Sequence, residues 1–214
     1  LPPMGAVSEI YGFEEGLFMV QDTAAQRVAY TMDPKNGHRV LDMCAAPGGK
    51  TTHIAEMVGK EGEVVAWDKY EHKIELIKEN AKRLGLENIK AYVHDGKEKD
   101  ESLFEKFDAV LLDAPCSGLG IIKKKPEIKW ERKKEDIKEI IKEQKELIDT
   151  AAFYVKAGGT LLYSTCTLNK EENEKVVEGF LEKHTDFSLC GDMANIFPSR
   201  GEDGFFIAKL ERKK

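Results

Sequence analysis

The chain has 214 residues, 33 Lys and Arg against 39 Asp and Glu, and a formal net charge of −6. That length suits one domain with a sizeable core, and 41% hydrophobic with 34% charged residues excludes a disordered or fibrous chain. Net acidity excludes a grip on nucleic acid by bulk charge alone, no run approaches the roughly 18 apolar residues of a membrane span, and no signal-peptide pattern opens the chain.

Residues 1–35 read as an N-terminal lead-in segment packed on a domain over 36–214, with a hairpin over 12–20 and a helix over 21–32. Residues 39–43 (RVLDM) make a short apolar run with an acid near its end, the pattern of a buried strand; Gly48-Gly49 and a helix over 50–58 follow. Residues 62–68 (GEVVAWD) form a second strand ending in an acid. Ile74, Ile77, Ala81 and Leu84 then recur at helical spacing, with Gly85 as the stop. A third strand spans 89–94, with Asp95 just past it, and a fourth spans 107–113 (FDAVLLD). Ile137, Ile140, Ile141, Leu147, Ile148 and Val155 outline a long amphipathic helix closed by Gly158-Gly159. A fifth strand spans 160–164, Asn169 with Glu172 resembles a capping box for a helix carrying Val176, Val177 and Phe180, and 205–210 is the last strand. The four cysteines, Cys44, Cys116, Cys166 and Cys190, are far apart and the five His lack ligand spacing. Neither a disulfide framework nor a metal site is therefore expected; reduced thiols in a cytoplasmic protein are.

This alternation predicts an α/β, Rossmann-like, doubly wound, mostly parallel sheet. In such sheets ligands bind past the carboxyl ends of the strands. Asp42, Asp68, Asp95, Asp113 and Ser164-Thr165-Cys166 all fall at strand ends and are predicted to line one crevice. A single strand-end acid is as often a turn residue or helix cap; four in succession favour a site. The stretch 42–51 (DMCAAPGGKT) is neither GxGxxG nor GxxxxGK[ST], which disfavours a pyrophosphate cradle. Asp68, at the end of the second strand, can accept from two ribose hydroxyls, and Asp95 from an adenine amino group. A nucleoside with a free 2′-hydroxyl and no phosphate cradle points to S-adenosylmethionine. Cys116 and Cys166 each follow a strand whose end faces the crevice, so both are candidate chemical thiols, while Cys190 reads as a small apolar residue.

DMCAAPGGKT, DAPCSGLG, STCTLNKEENE and DGFFIAKL, in this order, resemble the Sun-domain RNA cytosine-5 methyltransferases (the Fmu/Nop-type family), and GLFMVQD over 16–22 resembles that family's lead-in to its first core strand. The resemblance spans about residues 10–210. It implies a class I methyltransferase fold with a seven-stranded sheet whose last strand is antiparallel, and S-adenosylmethionine as cofactor. It also implies Cys166 as nucleophile, Cys116 assisting product release, Asp113 at the cytosine N3/N4 edge, and Lys50 reaching Asp113 and the target base. For the cofactor it implies Cys44, Ala45, Ala46, Pro47, Gly48, Gly49, Lys50, Asp68, Lys73 and Asp95, with Asp113 near both ligands. Lys73 stands where family members often have arginine, and it keeps the charge without the bidentate fork. The chemistry explains the two thiols. C5 of cytosine is a poor nucleophile until a thiolate adds at C6, and a base must later remove the C5 proton so that the thiol can leave. The residues alone leave open which cysteine attacks.

Residues 123–145 hold ten basic and six acidic residues, and their basic start lies just after Cys116. Lys123, Lys124 and Lys125 are predicted to touch phosphates, on a segment that orders on binding and carries Trp130, while 135–145 reads as a solvated helix face. The target nucleotide is expected to be flipped out. Transfer RNA is the first expected substrate and ribosomal RNA the second, for a monomer without membrane attachment. RNA recognition then falls to the catalytic surface, to residues before Leu1, or to a partner. The competing readings are a catalytically silent RNA-binding assembly factor of the same fold and a small-molecule methyltransferase.

Overall fold

The computed structural model describes residues 7–199 and 201–214; residues 1–6 of the expected lead-in segment lie outside them. Among the described residues, eight strands form one sheet: β1 (Arg39–Asp42), β2 (Glu63–Asp68), β3 (Ile89–Val93), β4 (Phe107–Asp113), β5 (Val155–Thr165), β6 (Phe187–Leu189), β7 (Ala194–Ile196) and β8 (Phe205–Arg212). Seven follow the order β3-β2-β1-β4-β5-β8-β6, and β7 pairs with β8 off that path. β1 to β5 run parallel, and β8 is antiparallel to β5. This is the expected doubly wound sheet with its reversed last strand, but with eight strands where seven were expected, because the three-residue β7 adds to β8 off the main path. β6 and β7 escape sequence reading because three residues carry no periodicity.

The central strands are apolar on both faces, as parallel strands covered by helices must be. Leu41, Val65, Val110 and Leu161 face one way, against α5 (Lys134–Tyr154) and α6 (Glu174–Lys183). Val40, Val64, Ala109 and Leu162 face the other, against α1 (Thr23–Met32) and α2 (Gly49–Val58). α3 (Glu71–Arg83) seals its end of that second face by packing Ile74 and Ile77 on Ala45 and Ala66. The remaining helix, α4 (Ile128–Glu131), is a single turn in the segment after β4.

Three local expectations differ from the structure. The stretch 12–20 is a series of turns, not a hairpin: Leu17 N–H donates to Gly12 O at 2.8 Å, and Arg83 takes the carbonyls of Phe13 (2.6 Å) and Phe18 (3.1 Å) that a partner strand would need. α5 ends at Tyr154 rather than at Gly158-Gly159, which lie inside β5 where its register on β4 shifts. A Cβ on Gly159 would sit 2.9 Å from Asp108 O, so the glycine permits the close strand approach there. Finally, Asn169 and Glu172 do not cap α6. They sit in a turn before it, Asn173 is the N-cap, and the Glu172 side chain is drawn into the interior.

Candidate active site

A cavity of about 600 Å³ opens at the carboxyl ends of β1 to β5, within the size range of small-molecule sites. Its cofactor end is built from the turn after β1. Gly48, with φ of +102°, starts α2, and a Cβ there would lie 3.3 Å from the Ile77 backbone. Of the predicted turn residues, Cys44 and Ala46 line the cavity. Ala45 packs under it in the core, and Pro47, Gly48 and Gly49 shape the turn from outside the lining.

Asp68, Asp95 and Asp113 all reach the cavity, but Asp42 does not. Asp42 is 1% exposed, accepts from Thr51 Oγ1 at 2.7 Å through Oδ2, and leaves Oδ1 unpartnered. Burial, against the Thr51 hydrogen bond, pushes its carboxyl up to about 7. The same strand-end position thus carries a structural acid in β1 and a cavity acid in β2. Asp68 Oδ1 accepts from Tyr70 N–H at 3.2 Å and faces Lys73 Nζ at 3.6 Å. Among the described residues, nothing donates to its Oδ2. Asp95 accepts from Lys97 N–H at 3.1 Å and pairs with Lys69 at 3.2 Å. Burial pushes the Asp95 carboxyl up, but those two partners hold it below its usual value.

At the chemical end, the Cys116 and Cys166 sulfurs lie 3.2 Å apart, within hydrogen-bond reach. Lys50 Nζ, 2.8 Å from Asp113 Oδ2, lies beside them over the Phe205 ring, and Ser164 Oγ donates to Asp113 Oδ1 at 2.7 Å. The surroundings of the two thiols differ. The Cys116 hydrogen bond holds the Cys166 thiol below the usual thiol value despite burial and the Asp113 carboxylate, and the Lys50 ammonium acts in the same direction. Cys116 is pushed well above that value by its hydrogen bond to Cys166 and by burial. The Lys50 ammonium thus favours charge on Cys166 over charge on Cys116. The loop after Cys116 is pinned where Gly120 N–H donates to Cys166 O (2.9 Å) and Gly204 N–H to Gly120 O (2.8 Å). A Cβ on Gly120 would lie 2.1 Å from Gly204 O.

The three lysines predicted for phosphates part company. Lys124 Nζ is 2.6 Å from Asp22 and 2.7 Å from Asp203, so it ties the start of α1 to the approach to β8. Lys125 lines the cavity and Lys123 is exposed. The segment also supplies Arg132, which lines the cavity and donates to Ser117 O at 3.2 Å, and Trp130, which is 80% exposed. Sequence reading passed over Arg132 as one charge in a dense run. It passed over Lys69 because a residue beside an acid in sequence need not pair with one across the cavity mouth. It read Glu172 only as a cap.

The family model described as 16S rRNA methyltransferase RsmB/F matches residues 29–211. The ribosomal RNA small subunit methyltransferase B of Photorhabdus laumondii is 42% identical over 217 residues, covering 97% of this chain and 50% of the relative. The crystal structure of NSun6 from Pyrococcus horikoshii with SFG matches with a TM-score of 0.82 at 35% identity, covering 99% of this chain and 57% of that one. A methyltransferase homolog protein from the same organism matches with a TM-score of 0.82 at 32% identity, covering 97% and 72%. The chain spans about half the length of the curated relatives it matches.

Proposed function

Because the chain belongs to the 16S rRNA methyltransferase RsmB/F family, we propose that it transfers a methyl group from S-adenosylmethionine to C5 of a cytosine in RNA. The observation that carries this reading is the pair of thiols 3.2 Å apart beside the Lys50–Asp113 ion pair, at the mouth of a cavity built for a nucleoside. The residues present fit the cofactor. Asp68 offers a carboxylate oxygen that no donor among the described residues takes up for a ribose diol, Lys73 and Asp95 flank it, and Cys44 and Ala46 present small side chains to the cavity. SFG, bound in the NSun6 neighbour, is an analogue of that cofactor.

When bound, S-adenosylmethionine supplies an electrophilic methyl group. Cys166, as thiolate, adds to C6 of a flipped cytosine and makes C5 nucleophilic. Asp113 accepts from the base's N4–H edge, and Lys50 pairs with Asp113 while holding its ammonium near the Cys166 sulfur. Cys116, protonated in the resting pair, gives up its hydrogen bond to Cys166 when that sulfur is alkylated and assists release of the product. Lys125 and Arg132 meet the RNA backbone at the cavity mouth, and Lys123 adds charge outside it. Of the expected 1–35 segment, the described residues 7–35 act as a segment packed on the domain over 36–214, a division supported by the clasp of Arg83 on Phe13 and Phe18. The earlier order of substrates is reversed. Relatives named for small-subunit ribosomal RNA favour ribosomal RNA first and transfer RNA second. Bisulfite sequencing of ribosomal and transfer RNA from cells with and without the gene tests the reading. One cytosine in small-subunit ribosomal RNA is expected to lose methylation. Unchanged methylation in every RNA would sink the enzymatic reading and favour an assembly factor of the same fold.

A further inference from the structure

We propose that Glu172 is a positioning residue that fixes the Cys116 thiol against Cys166. Its side chain is 0% exposed and lies outside the cavity lining, so it touches no ligand there. A buried carboxylate persists only where donors satisfy it. Here three of the donor groups come from the two thiol-bearing loops. Ser117, next to Cys116, donates its backbone N–H to Oε2 at 2.7 Å and its hydroxyl to Oε1 at 2.6 Å. Asn169, three residues after Cys166, donates its side-chain N–H to Oε1 at 2.9 Å.

A carboxylate only accepts, so it sets the direction of the whole chain of hydrogen bonds. With the Ser117 hydroxyl aimed at Glu172, the Thr167 hydroxyl, 2.9 Å away, donates to Ser117 Oγ. Thr167 follows Cys166 directly. The brace is anchored on two further sides. Gln144 of α5 donates to Pro115 O at 2.9 Å, just before Cys116, and to Glu172 Oε2 at 3.4 Å, and the Tyr163 hydroxyl of β5 donates to the Glu172 carbonyl at 2.6 Å. The neighbours on both sides of Cys116, and the residue after Cys166, therefore converge on this carboxylate. The consequence for catalysis rests on the proposed function: Cys116 can assist release only if it is held at the sulfur of Cys166.

Glu172→Gln keeps the shape and replaces one acceptor by a donor facing Ser117. Two readouts in the full chain separate the claims. The first is the rate at which hydrogen peroxide links Cys116 to Cys166 (two thiols give a disulfide and two waters), followed by mass spectrometry of the linked peptides, on protein with an unchanged thermal melt. A slowing of about tenfold is expected. The second is a single turnover with labelled S-adenosylmethionine and RNA, in which the methyl group is expected to transfer while the covalent protein–RNA complex persists. If Glu172→Gln does not fold, Ser117→Ala removes the hydroxyl link alone and is expected to slow disulfide formation as well. A wild-type linking rate in the folded variant overturns the assignment. Slowed linking with no methylation by the wild-type chain leaves the assignment standing and removes the function.

Discussion

Cys166 and Cys116 have the same sequence context, a thiol just past a strand, and differ only in what surrounds them. Cys166 lies within hydrogen-bond reach of Cys116 and feels the Lys50 ammonium, which favours charge on its sulfur. Removing the partner thiol is expected to weaken that stabilisation: Cys116→Ala should move the pH midpoint for alkylation of Cys166 upward, read from iodoacetamide rates against pH. A midpoint that stays in place would show that the pairing does not tune the thiol. Asp42 gives a second test at this scale. Its folded carboxyl sits at about 7, above the ordinary value of 3.8. Between those values the folded chain holds a proton that the unfolded chain has released, so this group makes stability fall as pH rises through that window. The effect amounts to at most about 4 kcal/mol. Asp42→Asn is expected to flatten the difference in unfolding free energy between about pH 5 and pH 8; an unchanged slope contradicts the burial argument. Asp42 and Asp68 were indistinguishable as strand-end acids. What separates them is Thr51, brought over Asp42 by the helix that follows, and only the fold shows that.

The elements were more legible than their joints. Strands β1 to β5 and α1, α2, α3 and α5 carry enough periodic apolar residues to be read directly. The joints depend on backbone accommodation: Gly158-Gly159 reads as a helix stop but serves a register shift in β5, and Asn169 with Glu172 reads as a cap but serves the thiol loops. Lys124 shows the same limit for charge. In sequence it is the middle of three lysines; in the fold it bridges Asp22 and Asp203. Lys124→Ala is expected to cost about 1 kcal/mol, since it leaves two sparsely exposed carboxylates facing each other, and to lower the melting temperature without changing the salt slope of RNA binding. Lys125→Ala is expected to do the opposite, reducing that slope by about 1 with little effect on melting. Equal effects of the two variants on the slope would refute the division of labour.

For the whole molecule, the net charge of −6 describes no single surface. Part of the acid excess is internal or functional: Asp42 is buried, Asp68, Asp95 and Asp113 line the cavity, and Glu172 ties the thiol loops. The basic residues at the cavity mouth stand beside this excess without being visible in the sum. Nearly all of the described chain is spent on the catalytic fold, and no helix among the described residues is long and apolar enough to cross a membrane. The central claim is that Cys166 attacks and Cys116 releases. The most direct measurement mixes Cys116→Ala and Cys166→Ala chains with labelled S-adenosylmethionine and substrate RNA and runs each on a denaturing gel. Cys116→Ala is expected to accumulate a covalent protein–RNA complex carrying the labelled methyl group, and Cys166→Ala none. A complex that forms with Cys166→Ala and not with Cys116→Ala would contradict the account.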